Sequence, residues 1–233
     1  MADRRIVIAI DGPAGAGKST LASKLARRYE YLNIETGAMY RALALKAIEN
    51  DVSVDDEHDL YELALDSRIQ LQPTSDGNRV ILDTHDVSNR VREKDVTEAA
   101  SRVSVHPRVR AWMVEQQRSL GKNGGVVMEG RDIGTAVFPN AEVKIFLDAA
   151  PEVRGNRRYR QVLASAPAPA VLDPADPKAK AILDEMHDRD HRDRTRAVSP
   201  LVPAADAIII DSTSLSLDEV IKQAEAAIDA KLS

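Results

Sequence analysis

The chain has no cysteine and few aromatic residues: its 233 positions include two Phe, one Trp and five Tyr. Without cysteine, disulfides, thiolate zinc sites and cysteine nucleophiles are excluded, and the composition fits a reducing compartment. The scarcity of aromatic rings argues against stacking platforms for single-stranded nucleic acid. No apolar run approaches membrane-spanning length. Arg4 and Arg5 precede an apolar stretch, as in a secretion signal, but that stretch stops at Asp11, too early for a signal core. Positive charge is not in excess either: 32 Lys and Arg face 37 Asp and Glu, a net charge of −5. That balance argues against bulk nucleic acid or a membrane surface as partner. Arginines still cluster locally, near Arg154–Arg160 and Arg189–Arg196, which suits small anions. The expectation is a cytoplasmic, monomeric protein with small-molecule partners, formed as one α/β domain over residues 1–233.

What the chain does have is concentrated near its start. Ile6–Ile10 is an unbroken apolar run, as in a parallel strand buried on both faces. Leu21, Leu25 and Tyr29 recur at helical spacing, with Ala22 and Ala26 beside them. Between strand and helix lies Gly12-Pro13-Ala14-Gly15-Ala16-Gly17-Lys18-Ser19, followed by Thr20. This is a G-x-x-x-x-G-K-[ST] phosphate loop in its strand-loop-helix setting. Its glycines let successive backbone N–H groups converge on an anion, and the helix N-terminus adds the positive end of its dipole. Lys18 brings a mobile charge, and Ser19 a hydroxyl for Mg²⁺. The loop therefore predicts a nucleoside triphosphate as ligand, and it does not say what receives the phosphate.

Further strands are predicted at Tyr31–Glu35, Val126–Glu129, Val143–Leu147 and Ala207–Ile210, and helices at Gly37–Asn50, Asp55–Asp66, Pro107–Gly121, Pro151–Leu163 and Ala179–Asp190. Ser216 and Glu219 form a capping box before a terminal helix. Five apolar strands alternating with helices predict a doubly wound parallel sheet, with ligands at the carboxyl ends of its strands. Residues 67–98 break the pattern: alternation around Asp76-Gly77 reads as an antiparallel hairpin inserted into the domain. Ala164–Lys180, rich in Ala, Pro and Asp, reads as an exposed loop.

Three further stretches are polar without an obvious structural cause: Glu35–Arg41, Met128–Thr135 and His187–Leu201. The first two follow predicted strands, which places Thr36, Arg41, Arg131 and Asp132 at the phosphate-loop edge. Any one of them alone reads as a cap or surface ion pair, but together they are less easily dismissed as structural. His187 and His191 lie four apart, as in a zinc motif, yet no third ligand is evident and arginines surround them.

The blocks "TGAMYRALAL", "AASRVSVHPRVR", "EGRDIGTAVFPNAEVKIFLDA" and "RDRTRAVSPLVPAADAIIIDS", in this order after the phosphate loop and around the hairpin insertion, resemble the bacterial cytidylate kinases. These are nucleoside monophosphate kinases acting on CMP and dCMP, which implies ATP as phosphoryl donor. The resemblance implies a phosphate-loop kinase core, an inserted subdomain on the monophosphate side and an arginine-rich lid over about residues 152–199. It implies that Thr36, Arg41 and Arg131 hold the monophosphate's phosphate. It also implies that Ser101, Arg110 and Asp132 read the cytosine edge, and that Arg189, Asp193 and Arg196 contact its sugar and phosphates. Lys18, Arg131, Arg189 and Arg196 would stabilise the transferring phosphoryl. Arg154, Arg157, Arg158, Arg192 and Arg194 read as further lid charges or as a solvated helix face.

Competing readings are weaker. A guanine-nucleotide switch lacks a D-x-x-G or N-K-x-D sequence, a non-catalytic nucleotide-dependent module would show no turnover, and UMP, AMP and shikimate kinases are the nearest enzymatic alternatives. Glu129 and Asp148 are candidate acidic partners for Mg²⁺.

Overall fold

The computed structural model describes residues 5–74, 77–162 and 176–232. Strand β1 (Val7–Asp11) leads through the phosphate loop into α1 (Lys18–Tyr29), β2 (Leu32–Glu35) and α2 (Thr36–Glu49). Helix α3 (Glu57–Leu65) starts where the Asp56 side chain accepts from the His58 and Asp59 N–H groups, at 2.9 and 3.1 Å. Strands β3 (Ile69–Thr74), β4 (Gly77–Leu82) and β5 (His85–Asp86) follow. A 3-10 turn at Arg90–Arg92 precedes α4 (Lys94–Val103), α5 (Pro107–Gly121) and β6 (Val126–Glu129). After a π-helical turn at Ile133–Val137 come β7 (Val143–Asp148), α6 (Pro151–Val162), α7 (Pro177–Thr195), β8 (Ile208–Asp211) and α8 (Leu217–Leu232).

Five strands form a parallel sheet in the order β2-β6-β1-β7-β8. The central strand shows why its sequence is apolar without alternation. Ala9 joins one core layer, with α2, α4 and α5, while Ile8 and Ile10 join the other, with α1 and α8. Side chains alternate across a strand, so a sheet covered on both faces needs apolar residues at every position. Fully burying Ile8 and Ile10 contributes about 1.5–3 kcal/mol each.

The inserted region is a three-stranded antiparallel sheet, β3-β4-β5, one strand more than the predicted hairpin. Gly77 pairs with Thr74, while Asp76 lies outside the described residues. Leu71, Val80 and Leu82 enter the same core layer as α2, so the insertion shares the domain's core. Helix α4 was not anticipated and runs across residue 98, where the insertion was expected to end. Its Val96, Ala99, Ala100 and Val103 follow helical spacing and all enter that core layer.

Helix α7 is longer than Ala179–Asp190. Asp176 accepts from the Lys178 N–H at 2.9 Å and Pro177 occupies the first turn, so its start falls inside the expected 164–180 loop. Residues 164–175 of that loop lie outside the described residues. Among the described residues no helix is long and apolar enough to cross a membrane.

Candidate functional site

The register of the sheet sets the site. Glu35 of β2 lies beside Glu129 of β6, which in turn lies beside Ile10 of β1, so the loops leaving these three strands open at one edge. The phosphate loop leaves β1 with positive φ at Gly12, Gly15 and Gly17. Gly12 cannot be replaced without movement, because a Cβ there would stand 2.0 Å from the Leu147 carbonyl oxygen. No side chain caps α1 at Gly17, so its first N–H groups face the loop and can bind an anion. Lys18 is buried, and its Nζ donates to the Pro13 carbonyl at 2.7 Å. Burial, reinforced by Arg131, lowers its pKa to about 7, the condition of a cation awaiting a counter-charge.

A cavity of about 480 Å³ opens beyond the loop, lined among others by Lys18, Ser19, Glu35, Arg41, Arg131 and Arg189. Arg41 pairs with Glu35 at 2.5 Å, and Thr36 Oγ1 donates to the Glu129 carbonyl at 2.7 Å. Ser19 and Glu129 line the cavity together. Burial pushes the Glu129 carboxyl up, and the neighbouring Glu35 carboxylate adds to the effect. The inserted sheet is pinned here by Asn78, which accepts from the Glu35 N–H at 2.9 Å and donates to the Asn33 carbonyl at 2.7 Å. On the other side of the loop, Thr20, Arg157, Ser212 and Leu215 line a second cavity of about 510 Å³.

Arg110 and Asp132 form a buried ion pair, with Arg110 Nη1 also donating to the Ser104 carbonyl at 3.0 Å. Among the described residues the pair leaves Arg110 Nε without a partner, and the buried Tyr40 hydroxyl has none either. The Arg110 guanidinium lies 5.7 Å from the Tyr40 ring centroid, a cation–π contact. Buried polar atoms are normally satisfied, so orphaned donors in a charged pocket indicate a polar ligand.

Helix α7 closes over this group. Arg131 Nε donates to Asp193 at 2.8 Å, and Arg192 Nε donates to the Ser101 hydroxyl at 3.1 Å. Arg154 of α6 bridges the Ala14 carbonyl of the phosphate loop, at 3.0 Å, and Asp190, at 2.5 Å. Burial pulls the Arg189 guanidinium down to about 10, with Arg131 beside it acting in the same direction.

The predicted residues therefore fall into two groups. Lys18, Ser19, Arg41, Arg131 and Arg189 line the first cavity beside the phosphate loop, with Thr36 bonded to the Glu129 carbonyl at its edge, whereas Ser101, Arg110 and Asp132 form a second cluster. Arg196 belongs to the second: its Nη2 lies 3.7 Å from Asp132, and burial, with the Arg110 charge acting the same way, lowers its pKa. Asp193 links the two, through Arg131 and, at 3.7 Å, Arg196. Arg154 and Arg157 bond to phosphate-loop carbonyls and Arg158 lines the first cavity, while Arg194 is half-exposed and 3.9 Å from Asp148. His187 and His191 are exposed on α7. Sequence reasoning missed Glu35, Tyr40 and Asn78 as site residues. The first two lie within the polar block Glu35–Arg41, so their position was the available signal, but nothing in the sequence marks Asn78.

The cytidylate kinase family model matches residues 8–230. A cytidylate kinase of Geobacillus sp. (strain WCH70) is 50% identical over 216 residues, covering 93% of each chain. One from Vibrio cholerae is 43% identical over 232 residues, covering 100% of each. A crystal structure of an uncharacterized protein from Eubacterium ventriosum shares the fold, with a TM-score of 0.51 at 14% identity, covering 97% of this chain and 99% of that one.

Proposed function

The chain belongs to the cytidylate kinase family, and from that premise we propose that it transfers the γ-phosphoryl group of ATP directly to the phosphate of CMP or dCMP. The observation that carries this reading is the shared edge: the phosphate loop opens on a cationic cavity lined by Arg131, which Asp193 ties to Arg196 and the buried Arg110–Asp132 pair with its orphaned donors. In this reading Gly12–Thr20 hold the donor, and Thr36, Arg41 and Arg131 grip the acceptor phosphate. Arginine's planar fork suits that bidentate contact. Arg189, Asp193 and Arg196 take the sugar and phosphates.

Cytosine presents an amino donor at N4 and acceptors at N3 and O2. Asp132 and Ser101 accept from N4 while Arg110 donates to the ring acceptors. Uracil would set O4 against the Asp132 carboxylate and leave buried groups unpaired, a mismatch the site cannot absorb. The hydroxyl of Ser101 is engaged by Arg192, so the base replaces that contact.

The reaction needs no covalent intermediate. An anionic oxygen of the CMP phosphate attacks the γ-phosphorus in line, the new P–O bond forms, and the bond to the ADP oxygen breaks. No proton must be removed from the attacking oxygen. Lys18, Arg131 and Arg189 offset charge on the equatorial oxygens; Arg196, among the nucleoside readers, orients the acceptor. The lid contact of Arg154 to the phosphate loop and Asp190 excludes water, the competing acceptor. The donor set beside Ser19 fits Mg²⁺: the ligands are hard oxygens, and the raised Glu129 carboxyl next to Glu35 would be relieved by a cation. Ser19 would ligate it directly, with Glu129 and Glu35 holding its shell, and when bound it neutralises charge on the transferring phosphates.

The test is ADP release with MgATP and CMP, dCMP, UMP or AMP, beside a control without acceptor. CMP and dCMP should stimulate strongly and UMP weakly. Equal rates with UMP, or rapid hydrolysis without any acceptor, would overturn the reading.

A further inference from the structure

The aspartate that ends β1 has no part in the mechanism above, yet it joins the two halves of the site. Asp11 is buried, and its two carboxylate oxygens accept separate backbone N–H groups: Oδ1 from Ile133 and Oδ2 from Gly134, each at 2.8 Å. These are the first two residues of the π-helical turn that begins directly after Asp132. The β1–β6 ladder reaches only as far as the Gly130 N–H on the Ile10 carbonyl, at 2.9 Å. Beyond that point the Asp11 side chain supplies the acceptors that a continued strand would have offered.

The turn then closes on Asp132 itself, whose carbonyl accepts from Ala136 at 2.8 Å and from Val137 at 3.2 Å. A π-helical turn is a rare conformation that recurs at functional sites, and it needs such anchoring. The chain makes room for the contact at Gly134, where a Cβ would stand 3.4 Å from Asp11 Oδ2 and 3.2 Å from the Lys144 side chain. The backbone of Asp11 leads immediately into Gly12 of the phosphate loop. One residue thus carries the donor loop on its main chain and the base-reading turn on its side chain.

We propose that Asp11 is a positioning residue that sets the orientation of Asp132, and thereby acceptor recognition, from the end of the strand that carries the phosphate loop. The inference rests on Asp132 reading the acceptor base. Two charge-assisted bonds to adjacent N–H groups fix both the height and the tilt of the turn, where one bond would leave it free to pivot. Asp132 contacts substrate; Asp11 acts only through it.

The test compares wild type, Asp11→Asn and Asp132→Ala for steady-state kinetics with CMP and UMP as acceptors, with unfolding curves for each. Asp11→Asn sets an NH₂ group against one of the two N–H donors, so the turn loses an anchor while the side chain keeps its size. KM for CMP should rise about tenfold and the UMP-to-CMP ratio of kcat/KM should also rise about tenfold, while KM for ATP stays within about twofold. If Asp11→Asn does not fold, Asp11→Glu displaces both acceptors with the charge retained, and the same split is expected. Unchanged discrimination in the Asp11 variants, while Asp132→Ala relaxes it, would overturn the coupling alone. Unchanged discrimination in Asp132→Ala would instead remove the reading beneath it. A parallel rise in both KM values, or failure of both Asp11 variants to fold, would make Asp11 a support of the fold only and overturn the proposal.

Discussion

Removing the Asp132 carboxylate tests the energetics of the site most directly. Its Oδ2 accepts from Arg110 and its Oδ1 lies 3.7 Å from Arg196, and those two side chains are only 1% and 2% exposed. Asp132→Ala leaves both guanidiniums facing an apolar methyl, and a buried charge stripped of its partner costs about 3–5 kcal/mol. Arg110 retains the Ser104 carbonyl at 3.0 Å, and Arg196 retains the Ser199 carbonyl at 2.7 Å and Asp193 at 3.7 Å. These contacts place the loss at the low end, about 3 kcal/mol, or about 6–12 °C in Tm for a chain of this length. Urea unfolding followed by circular dichroism would measure it for Asp132→Ala, Arg110→Leu and the double variant. Removing both charges leaves one fewer buried ion, so the double variant should recover about 1–2 kcal/mol relative to Asp132→Ala. Acceptor discrimination should stay lost in the double variant, which separates recognition from stability. A loss below about 1 kcal/mol for Asp132→Ala, with no coupling across the cycle, would refute the reasoning.

Three other outcomes are expected. Burial pushes the Asp193 carboxyl up, but Arg131, Arg189 and Arg196 outweigh it and hold the carboxyl below its ordinary 3.8. A depressed carboxyl binds fewer protons folded than unfolded, so its contribution is present above that value and is lost as pH falls through the range below it. The stability of Asp193→Asn should accordingly fall less steeply under acid than that of wild type, in unfolding curves taken across that range. Gly12→Ala should cost at least about 2 kcal/mol and abolish ATP binding, since it combines positive φ with a Cβ 2.0 Å from the Leu147 oxygen; a soluble variant with normal ATP affinity would contradict this. Asn78→Ala should destabilise by about 1–3 kcal/mol by leaving the Glu35 N–H and the Asn33 carbonyl unpaired, read by thermal unfolding.

Much of this molecule is determined locally and could be read from the sequence alone. The phosphate loop is specified by eight consecutive residues whose backbone freedom and charge suffice to define an anion site. The apolar runs of β1 and β6 could only be two-sided buried strands, and the Ser216–Glu219 capping box forms as its spacing demands, with hydrogen bonds of 2.7, 2.8 and 3.3 Å. Helix α4 carried its core stripe openly but was overlooked beside the hairpin pattern, and β5 is two residues long, too short for periodicity to register. What the sequence could not determine is how the charges pair. Arg131 meets Asp193 across 62 residues and Arg192 meets Ser101 across 91, because α7 docks over the sheet edge. Periodicity carries no information about such contacts; they exist only once burial forces each guanidinium to find a carboxylate, a hydroxyl or a carbonyl. The same holds for Asp11, which the sequence shows as the end of a strand. Only the packing of β1 against the turn after β6 makes its carboxylate the anchor of the turn that follows Asp132.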